Sequence, residues 1–146
     1  MPKTLEGLSL KVFNDRYALR DGEGKQIEKT PEEMWDRVAR AIASVEATPQ
    51  KREQWTQDFR KLLDDFQFVP GGRILSGAGS GVPVTFYNCF VIPSPDDSRG
   101  GILDNVKLMV EIMSRSGGVG VNLSSLRPRG AYVKGVNGTA SGSVSF

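Results

Sequence analysis

The feature that most constrains the fold of this chain is an abrupt change of composition near residue 70. Residues 1–69 carry 25 of the 36 charged side chains but only 3 of the 17 glycines, whereas residues 70–146 carry the other 14 glycines. Glycine disfavours helix interiors, whereas apolar residues that recur every three or four positions among charged ones favour amphipathic helices. The sequence therefore predicts a helical domain over residues 1–69 and a glycine-rich domain of mixed α and β structure over residues 70–146.

Composition excludes several classes of function. The net charge of +2 is too small to indicate a nucleic-acid partner, and no apolar run approaches the roughly 20 residues that cross a bilayer. The start, MPKTLEGLSLK, contains no apolar stretch typical of an export signal. One cysteine and no histidine exclude an internal disulfide and the usual zinc sites. These features favour the reducing cytoplasm and predict no metal site.

Local signals predict the elements of the first half. Residues 9–17 indicate a short helix, and residues 16–29 a small hairpin around an Asp-Gly turn. Thr30 and Thr48 each precede a proline and are predicted helix N-caps, with Glu33 completing a capping box at the first. Apolar residues recur behind these caps at helical spacing, and we interpret them as scaffold rather than a groove for a partner: Met34, Val38, Ala41, Ile42 and Val45, then Trp55, Phe59, Leu62, Leu63 and Phe66.

The second half opens with PGGRILSGAGSG at residues 70–81. It matches neither the dinucleotide-binding glycine pattern nor the Walker loop, so a plain turn is predicted. Residues 82–92 predict a buried strand on which Cys89 shares a face with Thr85, Tyr87 and Val91. Two interpretations of Cys89 stay open at this point: a buried structural cysteine, or a thiol that lines a cavity.

Charged groups flank the next predicted helix, residues 100–116. Asp96, Asp97 and Ser98 precede it, and we favour a capping role for the aspartates over acid/base or metal chemistry. After it, Val119, Val121 and Leu123 predict a strand. The loop that follows places three cations within eight residues, which indicates either a triphosphate cradle or a solvated basic loop: Arg127, Arg129 and Lys134.

The order of several blocks resembles one enzyme family. FVPGGRILSGAG, YNCFV, DDSRGGILDN, SRSGGVGVNLSSLRPRGAYVKG and GTASGSVSF are similar in sequence and spacing to the catalytic subunit of ribonucleotide reductase, particularly the adenosylcobalamin-dependent class II enzymes. This resemblance implies an α+β or α/β fold. An N-terminal helical region would precede the first strands and helix of an incomplete ten-stranded α/β barrel, whose sheet edge would stay open.

The resemblance also implies roles for individual residues. Cys89 is expected to be catalytic, as one of two cysteines that reduce the ribose and become a disulfide. The helix at residues 100–116 is expected to pack across a dimer interface. The substrate-binding residues implied are Asn88, Cys89, Gly117, Gly118 and Arg73; the residues implied for a deoxynucleoside triphosphate effector are Asp97, Ser98, Arg127 and Lys134.

The expected partners follow from the same resemblance. The complete enzyme would use a ribonucleotide, adenosylcobalamin and a thioredoxin-type reductant, and we do not expect the cofactor to bind this segment alone. Because one cysteine cannot perform the reaction, we expect a fragment, a split subunit or an extein that is inactive without a complementary C-terminal segment. Two alternatives stay open, namely a stand-alone deoxynucleotide-binding module and an unrelated structural protein.

Overall fold

The computed structural model describes residues 4–145. Its contacts divide the chain into two compact units, the first ending at Phe86 and the second beginning at Tyr87. The change of composition near residue 70 therefore falls within the first unit. Each unit is described by itself below.

The first unit is helical, as predicted. The hairpin expected over residues 16–29 is reduced to one antiparallel bridge, between Arg20 and Gln26. The helices are α1 (Gly7–Val12), continued by a π-helical turn (Phe13–Tyr17), α2 (Pro31–Ala43), α3 (Pro49–Leu63), a 3₁₀ turn (Asp64–Phe66) and α4 (Gly72–Gly77).

The N-caps of α2 and α3 confirm the sequence prediction. The Thr30 hydroxyl accepts a hydrogen bond from the Glu33 N–H, and the Glu33 carboxylate returns to the Thr30 N–H, which completes the capping box. Thr48 accepts from the Lys51 N–H in the same way. Each cap satisfies an N–H that the helix itself leaves unpaired.

The core of the first unit lies around α2. Met34, Trp35 and Val38 are buried there, and the edge of the Trp35 ring meets Phe66 with centroids 4.9 Å apart. Val45 was predicted for this face, but α2 ends at Ala43 and Val45 is 84 % exposed, so that prediction is wrong. On α3, Leu63 is buried whereas Trp55 and Leu62 are exposed, so α3 contributes less to the core than its pattern indicates.

Helix α4 replaces the plain turn predicted for residues 70–81. Five glycines among residues 70–81 made a helix improbable on propensity alone. Leu75 and Ala78 are nevertheless buried in the α2 core, and Ile74 packs against it. Burial of this short apolar stretch overrides the local preference, because packing stabilises helices more than propensity does.

The second unit contains two small sheets and one long helix. Strands β1 (Cys89–Ile92) and β2 (Gly118–Val121) pair in parallel and are joined through α5 (Arg99–Ser114), while β3 (Tyr132–Val133) and β4 (Gly138–Thr139) form an antiparallel hairpin. A helical crossover is the usual way to join parallel strands. The described residues form no closed barrel, in agreement with the expected incomplete barrel.

The strand predicted over residues 82–92 is shorter than expected. Only its last four residues pair. Ile92 is buried and the adjacent Val91 is 91 % exposed, so the predicted alternation is present. The predicted burial of the whole strand is not. A strand needs a partner for its N–H and C=O groups, and β2 offers just four residues. Within the described range we find no helix whose length and hydropathy would let it span a bilayer.

Candidate functional site

The lone thiol lies beside a glycine on the neighbouring strand. Cys89 and Gly118 are directly paired in the parallel register, and the Gly118 N–H donates a hydrogen bond of 2.8 Å to the Asn88 carbonyl. A Cβ atom added to Gly118 would lie 3.4 Å from the Cys89 Sγ and 3.2 Å from the Asn88 oxygen. The structure thus brings together three of the predicted substrate residues.

Cys89 is exposed, so it is not the buried structural cysteine that the sequence left open. Its neighbours across the strand are small, because β2 reads Gly-Val-Gly-Val. The absence of a side chain at Gly118 leaves the sulfur accessible from that side. An exposed thiol flanked by glycine backbone is suited to contact a ligand rather than to fill a core.

Gly117 has a packing role in this structure. It is buried, and a Cβ atom there would lie 2.6 Å from Ile112 Cγ2 and 2.9 Å from Phe90 Cε2. Its N–H donates to the Ile112 carbonyl while the Ser116 N–H donates to the Met113 carbonyl, which is the Schellman pattern that ends a helix. Only glycine permits this close approach of the end of α5 to β1, and the approach sets where Gly118 lies.

Arg73 is half-buried on α4 and belongs to the first unit. Cys89 and Gly118 belong to the second unit.

Two of the predicted effector residues, Asp97 and Ser98, lie at the start of α5. Ser98, and not an aspartate, is the N-cap, since its hydroxyl accepts a 3.0 Å hydrogen bond from the Gly101 N–H. Asp97 instead receives the Arg127 guanidinium: Nε lies 3.0 and 2.8 Å from the two carboxylate oxygens, and Nη2 donates to the Asp97 carbonyl at 3.1 Å. The capping role favoured for Asp97 was wrong, because a cation thirty residues later in the sequence binds its carboxylate.

The predicted basic loop contains the β3–β4 hairpin. The Gly130 and Ala140 backbones extend its pairing beyond the strands, through Gly130 N–H to Ala140 O and Ala140 N–H to Ala131 O, both 2.8 Å. Lys134 is exposed at the beginning of the turn between the strands, and Arg129 is exposed just before the hairpin. A hairpin holds these cations on a more regular backbone than a loop would.

Metal binding has no support from side-chain arrangement in residues 4–145. No group of three or more histidine, cysteine, aspartate or glutamate side chains is placed there to hold a metal ion. The chain as a whole has no histidine and one cysteine.

Sequence reasoning missed a buried ion pair in the first unit. The Arg37 Nε donates to Glu28 Oε1 at 2.7 Å and Nη2 donates to Glu28 Oε2 at 3.0 Å, with side chains 8 % and 6 % exposed. A signal was present, because Arg37 follows Met34 by three residues and so lies on the apolar face of α2. A cation on an apolar face usually requires a buried partner.

Comparison with known proteins identifies the family. A model described as "Ribonucleotide reductase, all-alpha domain" matches residues 3–82, and one described as "Ribonucleotide reductase, barrel domain" matches residues 87–146. The two matches meet where the contacts divide the chain, between residues 82 and 87.

Individual relatives agree with the family models. The chain is 36 % identical over 137 residues to the vitamin B12-dependent ribonucleoside-diphosphate reductase of Mycobacterium tuberculosis strain CDC 1551, covering 92 % of this chain and 19 % of that protein. It is 32 % identical to the ribonucleoside-diphosphate reductase large chain of Schizosaccharomyces pombe, covering 97 % and 16 %. The chain thus spans about a fifth or less of these relatives. It belongs to the ribonucleotide reductase family, as a chain that covers the all-alpha domain and the start of the barrel domain.

Proposed function

We propose that this chain forms the N-terminal part of an enzyme that reduces ribonucleotides to deoxyribonucleotides, and that Cys89 supplies one of its two reducing thiols. The observation that carries the proposal is the exposed Cys89 sulfur beside the side-chain-free Gly118. Family membership supports the reaction class. The vitamin B12-dependent relatives support class II.

The chemistry requires more than this segment contains. A thiyl radical removes the 3′-hydrogen of the ribose, the 2′-hydroxyl leaves as water after protonation by a thiol, and the 3′-hydrogen is then returned. Two thiols supply the two electrons and two protons and become one disulfide, so the products are a deoxyribonucleotide, water and the disulfide. Cys89 can supply one of these sulfurs. The radical thiol and the second reducing thiol therefore come from a complementary segment.

The backbone around Cys89 suits a sugar. The Asn88 carbonyl is fixed by its hydrogen bond from Gly118, and the glycine leaves room for a ribose ring against the strand pair. In our proposal Asn88 and Gly118 contact the ribose, and Arg73 contacts its phosphate side. A guanidinium binds phosphate oxygens in pairs, which suits Arg73 for that role.

Adenosylcobalamin would supply the radical in the complete enzyme, by homolysis of its cobalt–carbon bond. The donor chemistry of this chain does not fit the cofactor, since it has no histidine and its one thiol is assigned to the ribose. We therefore assign cofactor binding to the complementary segment. A thioredoxin-type protein would then reduce the disulfide, and the enzyme would act in the cytoplasm.

The Asp97–Arg127 pair supports an effector site at the start of α5. Both side chains are about one-third exposed, so a ligand can reach them. In our proposal Asp97 and Ser98 contact the deoxyribose of a deoxynucleoside triphosphate, and Arg127 and Lys134 bind its phosphates. The same cluster favours a second candidate function, a deoxynucleotide-binding module without catalysis.

A thiol-relocation experiment tests the catalytic role. The chain is combined with a segment that completes the reductase, and deoxynucleotide formation is measured with and without adenosylcobalamin. We expect Cys89→Ser to lower kcat by more than about a hundredfold, because its hydroxyl cannot form a disulfide. The matched control is Cys89→Ser with Val91→Cys, which returns a thiol to the same exposed face two residues away. Recovery of activity by that control would contradict the proposal, as would turnover by the isolated chain.

A binding experiment separates the two candidate functions. Deoxynucleoside triphosphates are titrated calorimetrically into the wild-type chain, Arg127→Ala and Cys89→Ser. A nucleotide affinity that falls in Arg127→Ala and is unchanged in Cys89→Ser supports the effector site under both candidate functions. The module without catalysis is favoured only if no complementary segment yields turnover.

A further inference from the structure

Helix α4, which carries Arg73, is too short to hold its own position. It has six residues, and glycines stand at both of its ends. Isolated helices of this length are unstable in water, because the first turn fixes several residues for a single hydrogen bond. The position of the Arg73 backbone therefore depends on what binds the two ends of α4.

Arg37 binds the C-terminal end of α4. Its Nη2 donates a 2.9 Å hydrogen bond to the Leu75 carbonyl, and its Nη1 donates to the Ala78 carbonyl. These carbonyls lie where a helix leaves acceptors unpaired and where a cation is favoured. One guanidinium thus ends the helix that Arg73 occupies.

Glu28 holds Arg37 in place. Both carboxylate oxygens accept from the guanidinium, and Oε2 also accepts a 2.9 Å hydrogen bond from the Leu19 N–H. The pair is buried, so water competes little for these bonds. The guanidinium is held in one orientation by its two hydrogen bonds to the Glu28 carboxylate and its two hydrogen bonds to the Leu75 and Ala78 carbonyls.

The π-helical turn holds the other end of α4. A Cβ atom on Gly72 would lie 3.1 Å from the Tyr17 hydroxyl oxygen, so the ring packs against the first residue of the helix. The Arg37 Nη2 also lies 3.4 Å from the Tyr17 carbonyl. Both ends of α4 are therefore connected to the same guanidinium.

We infer that the Glu28–Arg37 pair positions Arg73 for the phosphate side of the substrate. The inference rests on the proposed function, in which Arg73 contacts that phosphate. Arg37 is a positioning residue, since it is buried and acts on the ligand only through α4.

The test compares two arginine variants in the reductase that contains this segment. Arg37→Gln should raise KM for ribonucleoside diphosphates and triphosphates about tenfold while kcat changes less than about twofold, because a displaced phosphate contact weakens ground and transition states alike. Arg60→Gln is the control. Arg60 is also a partly buried arginine of the first unit, but it bonds Asp36 and Asp64 and lies over Trp35. It should leave KM unchanged, with a smaller loss of stability because its two aspartate partners are about half exposed.

A double-mutant cycle separates this inference from the proposed function. In an Arg73→Ala background, Arg37→Gln should raise KM no further. If Arg73→Ala alone leaves KM unchanged, the proposed substrate role of Arg73 is wrong. If Arg73→Ala raises KM but Arg37→Gln does not, or if the two effects simply multiply, the positioning inference is wrong. Glu28→Gln keeps the side-chain shape and repeats the test should Arg37→Gln fail to fold.

Discussion

Helices α2 and α5 are of similar length, yet the two units use them differently. Six of the 13 residues of α2 are buried, including Arg37, whereas none of the 16 residues of α5 is. Helix α5 is the more apolar of the two in sequence. It leaves five large apolar side chains at least two-fifths exposed: Leu103, Val106, Leu108, Val110 and Met113.

This difference shows that the spacing of apolar residues predicts which face of a helix is buried, but not which element packs against that face. Helix α2 finds its partners within its own unit, in α4 and the π-helical turn. Helix α5 has apolar residues around more of its circumference, a pattern typical of a helix surrounded by further protein. This agrees with a chain that spans a fifth or less of its relatives. The dimer contact that the family resemblance implies for α5 stays a prediction.

Breaking the buried ion pair should have the largest effect and should act on the first unit. Arg37→Met leaves the Glu28 carboxylate buried without its cation, so we expect a loss of about 3–5 kcal/mol in the free energy of unfolding. Urea unfolding followed by the fluorescence of the buried Trp35 measures it. The double variant Glu28→Leu with Arg37→Met should recover part of the loss. A loss below about 1 kcal/mol in the single variant would show that the buried ion pair is not important for the stability of the first unit.

Filling the close contact at Gly117 should have the next largest effect, confined to the second unit. Gly117→Ala places a methyl group against Ile112 and Phe90, and we expect about 1–3 kcal/mol of destabilisation. Gly135→Ala is the matched control, since nothing lies within 4 Å of its Cβ position. Amide hydrogen exchange over β1 and β2 measures the effect. Unchanged exchange in Gly117→Ala would contradict the packing described for this glycine.

Removing one hydroxyl N-cap from each unit compares how much the same kind of hydrogen bond stabilises a helix in the two units. Thr30→Ala and Ser98→Ala each delete a hydroxyl that accepts from a backbone N–H, and each should cost about 1 kcal/mol. Exchange of the Glu33 and Gly101 amides measures the two losses separately. A much smaller loss for Ser98→Ala would show that α5 is stabilised less by its own unit than α2 is.

The smallest effect concerns the surface pair between Lys11 on α1 and Asp15 on the π-helical turn. The hydrogen bond from Lys11 lowers the pKa of Asp15 below its usual 3.8. Desolvation opposes this shift, and charge attraction from Lys11, Arg20 and Arg16 adds to it. A lowered pKa means stability that is present above the unfolded value and is lost as pH falls through the folded value. NMR titration should show the pKa of Asp15 rising toward 3.8 in Lys11→Met. No rise would mean that the bond contributes nothing in solution.

Prediction from sequence succeeded where the determining contacts are local. The Thr30 and Thr48 caps involve residues within four positions of one another, so their types and spacing specify the geometry. It failed at α4, where propensity indicated a turn, and at Asp97, where adjacency to a helix indicated a cap. In both cases a partner distant in sequence decided the structure.

The candidate site divides in the same way. The family blocks specified Cys89 and Gly118 as members of one site, and the register places them side by side. Nothing local indicated that Asp97 and Arg127 would pair or that Arg37 would reach the carbonyls of α4. Such contacts join residues about 30 to 40 positions apart, and spacing carries no information at that distance.

The sequence by itself determined the helical first half, the caps, the alternation around Cys89 and the family, because these depend on residue type at short range. The tertiary structure alone decided that residues 72–77 are helical, that Arg37 is buried with Glu28, and that the thiol is exposed beside Gly118. Burial and hydrogen bonding between distant segments outweigh local preferences of a fraction of a kcal/mol per residue.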